Sequence, residues 1–184
     1  LAKEAKLNVP KTWRPETIDA LDKLPRGFEF PLIVKPVDGA GGRGIARVET
    51  PTELQEHAAE LGFDNPPLVQ ECIEGEDYCV PVLARNGELS AIMAYRNVAS
   101  FPREAGAGAV RETIDETPFR ATAEKLIKAT NWNGVAQLDF RWNGKAEDKP
   151  KLIEVNARFW AGIFHSVESG VDFPWLLYLQ TIGE

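Results

Sequence analysis

The 184 residues are 43% apolar and 27% charged, with nine Phe and five Trp, a balance that excludes a disordered chain. It suffices for one domain, or a two-lobed one, burying roughly 70% of the surface its unfolded chain would expose. A formal charge of -7, from 28 acidic against 21 basic side chains, excludes duplex nucleic acid as a general partner, so phosphate would have to be bound locally.

No run approaches the roughly 20 apolar residues of a membrane span and no basic, then apolar, leader opens the chain, so a soluble cytoplasmic protein is expected. The two cysteines, Cys72 and Cys79, fall in strand-like sequence and read as buried thiols, with no disulfide framework and no zinc cluster. Leu1 to Leu7 has helical composition but neither an initiator Met nor a cap, which reads as a helix entered partway in a fragment of a longer protein. Five prolines then punctuate residues 10–36, where only Glu16 to Leu24 has helical spacing, through Ile18, Leu21 and Leu24. A short strand over Leu32 to Lys35 runs into a glycine-rich loop, with strand resuming at Ile45 to Val48. Thr50 or Thr52 caps a helix over Glu53 to Leu61, and Leu68 to Ile73 and Asp77 to Ala84 are strands. Asn86-Gly87 joins the second of these to Leu89 to Ala94 as a hairpin. Phe119, Ala123, Leu126, Ile127 and Thr130 form one helical face, after which Gly134 to Trp142 and Lys151 to Val155 make a second hairpin. Asp172 caps a terminal helix with Pro174 in its first turn. Helices mixed with antiparallel hairpins give an α+β fold.

Three segments carry chemistry. In Asp38-Gly39-Ala40-Gly41-Gly42-Arg43-Gly44, glycines let successive backbone N-H groups approach a phosphate, and the strand on either side makes the loop a flap rather than a Walker A or Rossmann turn. A plain hairpin turn is the competing reading. Lys35, at the end of the preceding strand, could reach phosphate oxygens as a point charge. In the second hairpin, Glu154 and Asn156 share a strand face with side-chain origins roughly 6.5 to 7 Å apart, and the arm carrying Asp139 can lie alongside. Two carboxylates and an amide oxygen on one face repel unless a hard divalent cation joins them, and Mg²⁺ suits that donor set; three exposed polar residues on a solvated sheet face are the competing reading. Leu138, Phe140, Ile153 and Val155 alternate with the polar set, and Arg158 extends it toward phosphate. The third segment, Gln70-Glu71-Cys72-Ile73-Glu74-Gly75-Glu76-Asp77, could offer backbone groups to a purine edge and an acid to a ribose.

In order and spacing, these segments over nearly the whole chain resemble the ATP-grasp superfamily. The likeness is strongest to its carbamoyl-phosphate-synthase-like and amino-acid-ligase branches, in the Pro-Leu-Ile-Val-Lys-Pro and Leu-Ile-Glu-Val-Asn-x-Arg segments. The resemblance implies two lobes of mixed or antiparallel sheet with the nucleotide between them, a lid lobe over about residues 26–70 and a larger lobe with the metal site over about 71–184. It makes Lys35 a ligand of the ATP phosphates, and the loop with Gly39, Gly41, Gly42 and Gly44 their lid. Gln70 would face the exocyclic amine of adenine, the backbone of Glu71 and Ile73 the purine edge, and Asp77, or failing that Glu76, the ribose. Asp139 and Glu154 would hold one Mg²⁺, Glu154 and Asn156 a second, with Mn²⁺ as a substitute, and Arg158 would lie against the transferred phosphoryl group. Where relatives follow that arginine with glycines, this chain has Phe159-Trp160-Ala161-Gly162. Arg103, Gly106, Gly108 and Arg111 resemble the stretch lining the acyl side, whereas His165 reads as packing and His57 as an inert residue on an outer helix face.

The resemblance implies an ATP-dependent ligase joining a small carboxylate to an amine through an acyl phosphate. Kinase-type or carbamoyl-phosphate-forming transfer, and a module that binds ATP without turnover, stay open. Relatives usually carry a further small domain upstream, which the resemblance makes a partner within the same protein.

Overall fold

The computed structural model describes residues 2, 4–38, 42–62, 66–101 and 107–184. They divide into two compact units, Pro10–Ile73, and Leu1–Val9 with Glu74–Glu184. Gly39 and Gly41 of the glycine loop, and Arg103 and Gly106, lie outside the described residues.

The smaller unit is an antiparallel sheet of β1 (Thr12–Trp13), β2 (Leu32–Lys35), β3 (Ala46–Val48) and β4 (Leu68–Glu71), in the order β1-β4-β2-β3. Leu32 and Val34 alternate with Ile33 and Lys35, so β2 turns its two aliphatic residues into a core with Val48, Val69, Leu54, Ala58 and Leu21. Helix α1 (Pro51–Glu60) supplies Leu54 and Ala58. Of the two threonines that could start it, Thr50 is the cap: its hydroxyl accepts the Glu53 N-H (3.2 Å), while the Glu53 carboxylate accepts the Glu49 N-H (2.9 Å). The helical spacing over Glu16 to Leu24 yields one short 3-10 turn, Ile18–Asp22, whose Leu21 is buried.

The larger unit is a six-stranded antiparallel sheet: β5 (Glu76–Arg85), β6 (Glu88–Ile92), β7 (Ala94–Phe101), β8 (Ala107–Ile114), β9 (Gly134–Trp142) and β10 (Lys151–Asn156). Its order is β10-β9-β5-β7-β8, with β6 on the far half of β5. Alternation along β5 and β9 sorts the residues. Tyr78, Val80, Val82, Ala84, Ala136, Leu138 and Phe140 meet α2 (Thr117–Thr130) through Phe119, Ala123, Leu126 and Ile127. Cys79 and Leu83 face the other way, into a smaller core with Met93, Tyr95, Trp160 and Phe173. Phe173 opens α4 (Phe173–Ile182), which follows the short α3 (Ile163–Glu168), and Asp172 caps it by accepting the Trp175 N-H (3.0 Å).

Three expectations change. Ala2 and Glu4 to Lys6 form turns rather than a helix, with Lys6 left-handed (φ 49°), Leu7 buried in the large core and the Leu152 N-H donating to Asn8 O (2.9 Å), so this stretch runs beside β10. Cys72 follows β4 and is half-buried, whereas Cys79 is buried; both are free. In β10, Leu152 rather than Ile153 enters the α2 core, because the register slips between Leu152 and Glu154: Leu152 opposes Phe140, and Glu154 opposes Asp139. That bulge turns Glu154 and Asn156 onto the face opposite Leu152. No helix among the described residues is long and apolar enough to cross a membrane.

Candidate functional site

In the smaller unit, strand pairing sets Gln70 of β4 opposite Ile33 and next to Thr12 of β1. The Thr12 hydroxyl donates to Pro10 O (3.1 Å), leaving its oxygen to accept from Gln70 Nε2 (2.8 Å). The amide is thereby oriented with Oε1 toward Lys35, whose Nζ donates to it at 3.3 Å. Gln70 is buried, so it sits beneath the ammonium as a fixed acceptor. The Glu71 N-H donates to Lys11 O (3.0 Å), and half-buried Ile73 ends the unit.

Gly42 and Gly44 both take left-handed backbone (φ 74° and 73°), a conformation glycine adopts without strain. A Cβ on Gly44 would lie 2.8 Å from Leu61. The Gly44 carbonyl meets His57 Nε2 at 2.9 Å, and the other ring nitrogen meets Glu60 at 3.3 Å. His57 thus ties the loop exit to α1 instead of standing on an outer face. Its spacing of three residues after Leu54 and four before Leu61 already places it beside the buried stripe.

In the larger unit, Tyr95, Cys79, Asp139 and Glu154 form one row across β7, β5, β9 and β10, each opposing the next. Gln137 and Asn156 oppose one another in the neighbouring row. Gln137 Nε2 donates to Asp139 Oδ1 (2.7 Å), and Asn156 Nδ2 donates to Asp139 Oδ2 (2.8 Å). Arg158 Nη2 donates to Asn156 Oδ1 (3.0 Å), and its Nη1 to Phe159 O (3.1 Å). The structure therefore brings Asp139, Glu154, Asn156 and Arg158 together on one face. Desolvation of Asp139, with a smaller push from the negative charges of Glu154 and Asp77, raises its carboxyl to about 6, although hydrogen bonds from Cys79 and Gln137 oppose the rise. A desolvated carboxylate beside a second carboxylate and an amide, all oxygen donors, fits a hard divalent cation. Among the described residues no three His, Cys, Asp or Glu side chains cluster as a metal site, so the set is two carboxylates and an amide.

Asp77 stands apart from that chain of hydrogen bonds, paired to Arg141 (2.6 Å). Glu76 accepts from Arg96 (2.8 Å) and lies 3.4 Å from the Tyr78 hydroxyl. Gly75 (φ 121°) packs on the end of β9, where a Cβ would strike the Trp142 carbonyl. Arg111 lies over the Tyr95 ring, 5.9 Å from its centre, and its buried Nε has no hydrogen-bond partner. Gly162 is buried beside both: a Cβ there would lie 2.6 Å from the Tyr95 hydroxyl and 3.0 Å from Arg111 Nε. His165 packs edge-on against Tyr95 with Nε2 3.1 Å from the Thr113 hydroxyl, and burial together with the Arg111 charge holds its pKa below the ordinary imidazole range. Gln137 and Tyr95 escaped the sequence reading. Gln137 has a signal, standing two residues before Asp139 and hence on its face; Tyr95 has none, because β7 mixes polar and apolar residues without a clear alternation.

The sequence pattern defining the ATP-grasp domain matches residues 1–162. The chain is 31% identical over 138 residues to a carbamoyl-phosphate synthase of Methanobrevibacter smithii, covering 71% of this chain and 36% of that protein. It is 26% identical over 168 residues to a D-alanine–D-alanine ligase of Fusobacterium nucleatum, covering 85% and 53%. The biotin carboxylase domain of the Hydrogenobacter thermophilus 2-oxoglutarate carboxylase, solved with MgADP, ADP and bicarbonate, superposes with a TM-score of 0.78 at 16% identity, over 99% of this chain and 43% of that one. The chain thus spans from about a third to about half the length of these proteins.

Proposed function

Because the chain belongs to the ATP-grasp domain family, we propose that it is the nucleotide-binding and phosphoryl-transfer part of a ligase that joins a small carboxylate to an amine. The observation that carries this reading is the one face on which hydrogen bonds run from Arg158 through Asn156 to Asp139, with Glu154 opposite Asp139 in the pairing. Lys35, steadied by Gln70, would hold ATP phosphate, with the backbone from Gly39 to Gly44 as a phosphate cover. Glu71 would turn its carbonyl to the purine, since its N-H is given to Lys11, and Ile73 would add its backbone. Asp77 would have to leave Arg141, in part, to take a ribose hydroxyl.

Asp139 and Glu154 would anchor one magnesium ion and Glu154 and Asn156 a second, with manganese an equivalent occupant. When bound, such ions neutralise charge on the phosphates. The chain's own part is positioning and charge. Arg158, exposed and hydrogen-bonded to Asn156, would hold the γ-phosphoryl oxygens while a carboxylate oxygen of the acid attacks phosphorus and the bond to the β-phosphate oxygen breaks, releasing ADP. An amine nitrogen then attacks the acyl carbon, the carbon–oxygen bond to phosphate breaks, and the amine proton passes to water. Arg111, with its unpartnered Nε, would bind the acid's side of the acyl group. A domain upstream in the same protein would complete the acceptor site, and the need for ATP suits the cytoplasm.

A second reading, phosphorylation of a bicarbonate-like acid, is favoured by the carbamoyl-phosphate synthase relative and by the bicarbonate in the carboxylase structure. One experiment on the full-length protein tests both. Acids labelled with oxygen-18 in the carboxylate should pass one label to the released phosphate when ATP and an amine are present. Labelled phosphate from bicarbonate alone selects the second reading, and ADP formation with unlabelled phosphate for every acid overturns the first.

A further inference from the structure

Asp139 is held from two sides, and only one of the holders belongs to the proposed ligand set. Asn156 donates to Oδ2; Gln137 donates to Oδ1. Each carboxylate oxygen offers about two acceptor positions, and these bonds, with the one from the Cys79 thiol, leave only part of that set open. Which positions remain depends on the carboxylate plane, and that plane depends on where the Gln137 amide sits.

The Gln137 amide is fixed in turn. The Tyr95 hydroxyl donates to Gln137 Oε1 at 2.8 Å, so nitrogen faces the carboxylate and oxygen faces the phenol. Tyr95 is itself immobile: it is 2% exposed, packed in the smaller core with Trp160 and Phe173, and bears the His165 ring on its edge. Burial raises its pKa so far that the hydroxyl stays a donor throughout the working range. The reach is possible because the residue between the two strands is Cys79, opposing Tyr95 on one side and Asp139 on the other, a side chain small enough for the phenol to pass. Buried Gly162 leaves room for the hydroxyl where any Cβ would intrude.

We propose that Tyr95 and Gln137 are positioning residues, a rigid two-step support that sets the Asp139 carboxylate for a divalent cation. This rests on the metal reading above. Groups behind a metal ligand commonly govern affinity by about 10- to 100-fold. Tyr95 acts one bond further back than Gln137, so its effect is smaller.

The test is Mn²⁺ binding to the full-length protein at saturating ADP, read by electron paramagnetic resonance without turnover. Tyr95→Phe should raise the Mn²⁺ concentration at half-saturation about threefold, and Gln137→Met about tenfold. A role confined to packing would instead lower the melting temperature of the free protein and leave the Mn²⁺ midpoint in place. Midpoints within about twofold of wild type for both folded variants therefore overturn the proposal, whatever their melting temperatures. If wild type itself binds no Mn²⁺ with ADP, the metal reading falls first and takes the proposal with it, a result the wild-type titration alone distinguishes.

Discussion

Asp139 and Lys35 each carry a charge whose behaviour is set by a neighbour. Without metal, Asp139 keeps its proton up to about 6 in the fold, against 3.8 for the ordinary carboxyl. The unfolded chain therefore ionises first, so the group's relative contribution to stability is full below pH 3.8 and is lost as pH rises through about 6. Asp139→Asn removes that loss. In urea unfolding, the variant should gain on wild type by up to about 1.4 kcal/mol per pH unit across this window and by nothing further above it. A gap between the two proteins that stays constant with pH would reject the perturbed carboxyl. At Lys35, the oriented amide of Gln70 implies that Thr12→Val frees the amide to turn and weakens the hold on the ammonium. Calorimetry should then show ADP affinity falling about threefold to tenfold, the scale of one hydrogen bond, with adenosine affinity falling less. An equal fall for both ligands would place the effect at the base rather than the phosphates. A motif conveys order along the chain and so offers Gln70 to adenine, whereas the Thr12 hydroxyl that orients its amide lies 58 residues away and is not legible there.

Among the elements, the bulge in β10 does the work that alternation alone would get wrong. Regular pairing would keep Leu152, Glu154 and Asn156 on one face, and the extra residue separates leucine from the polar pair. Deleting Ile153 should either send Leu152 out of its core or turn Glu154 and Asn156 toward α2. The expected result is loss of metal-dependent nucleotide binding with a fall in stability of at least about 2 kcal/mol, by calorimetry and denaturant titration. Unchanged metal binding in a folded deletion variant would show that the bulge is dispensable. Gly75→Ala is the second element-scale test: left-handed backbone and a collision with the Trp142 carbonyl should cost about 1 to 3 kcal/mol. Strong local signals made much of this legible. Asn86-Gly87, both with positive φ (51° and 77°), closes β5 to β6, and the apolar stripe of α2 is buried as spaced. The β7 and β8 pair was not legible, because its faces carry Arg96, Asn97, Arg111, Glu112 and Thr113, and their partners are ionic or polar rather than apolar. Nor was the bulge, since a register slip leaves no mark in the periodicity of one strand.

On the scale of the whole chain, the two units carry separate cores and different parts of the proposed chemistry, with Lys35 and Gln70 in one and the Asp139 face in the other. Each unit also contains one free cysteine, Cys72 in Pro10–Ile73 and Cys79 in Glu74–Glu184. The Cys79 thiol is buried, and desolvation with the adjacent Asp139 charge pushes its pKa well above the ordinary value, so a thiol reagent can reach a reactive form only when that unit opens. Half-buried Cys72 answers to smaller excursions of the other unit. The pair is thus a built-in double clock. Labelling followed by peptide mass analysis should give two independent rates, with Cys79 the slower and urea accelerating each along its own curve. Rates that coincide at every urea concentration would mean that the chain opens as a single cooperative body. Different rates would show that the two units open separately, read from the unmutated protein without attaching a probe beforehand.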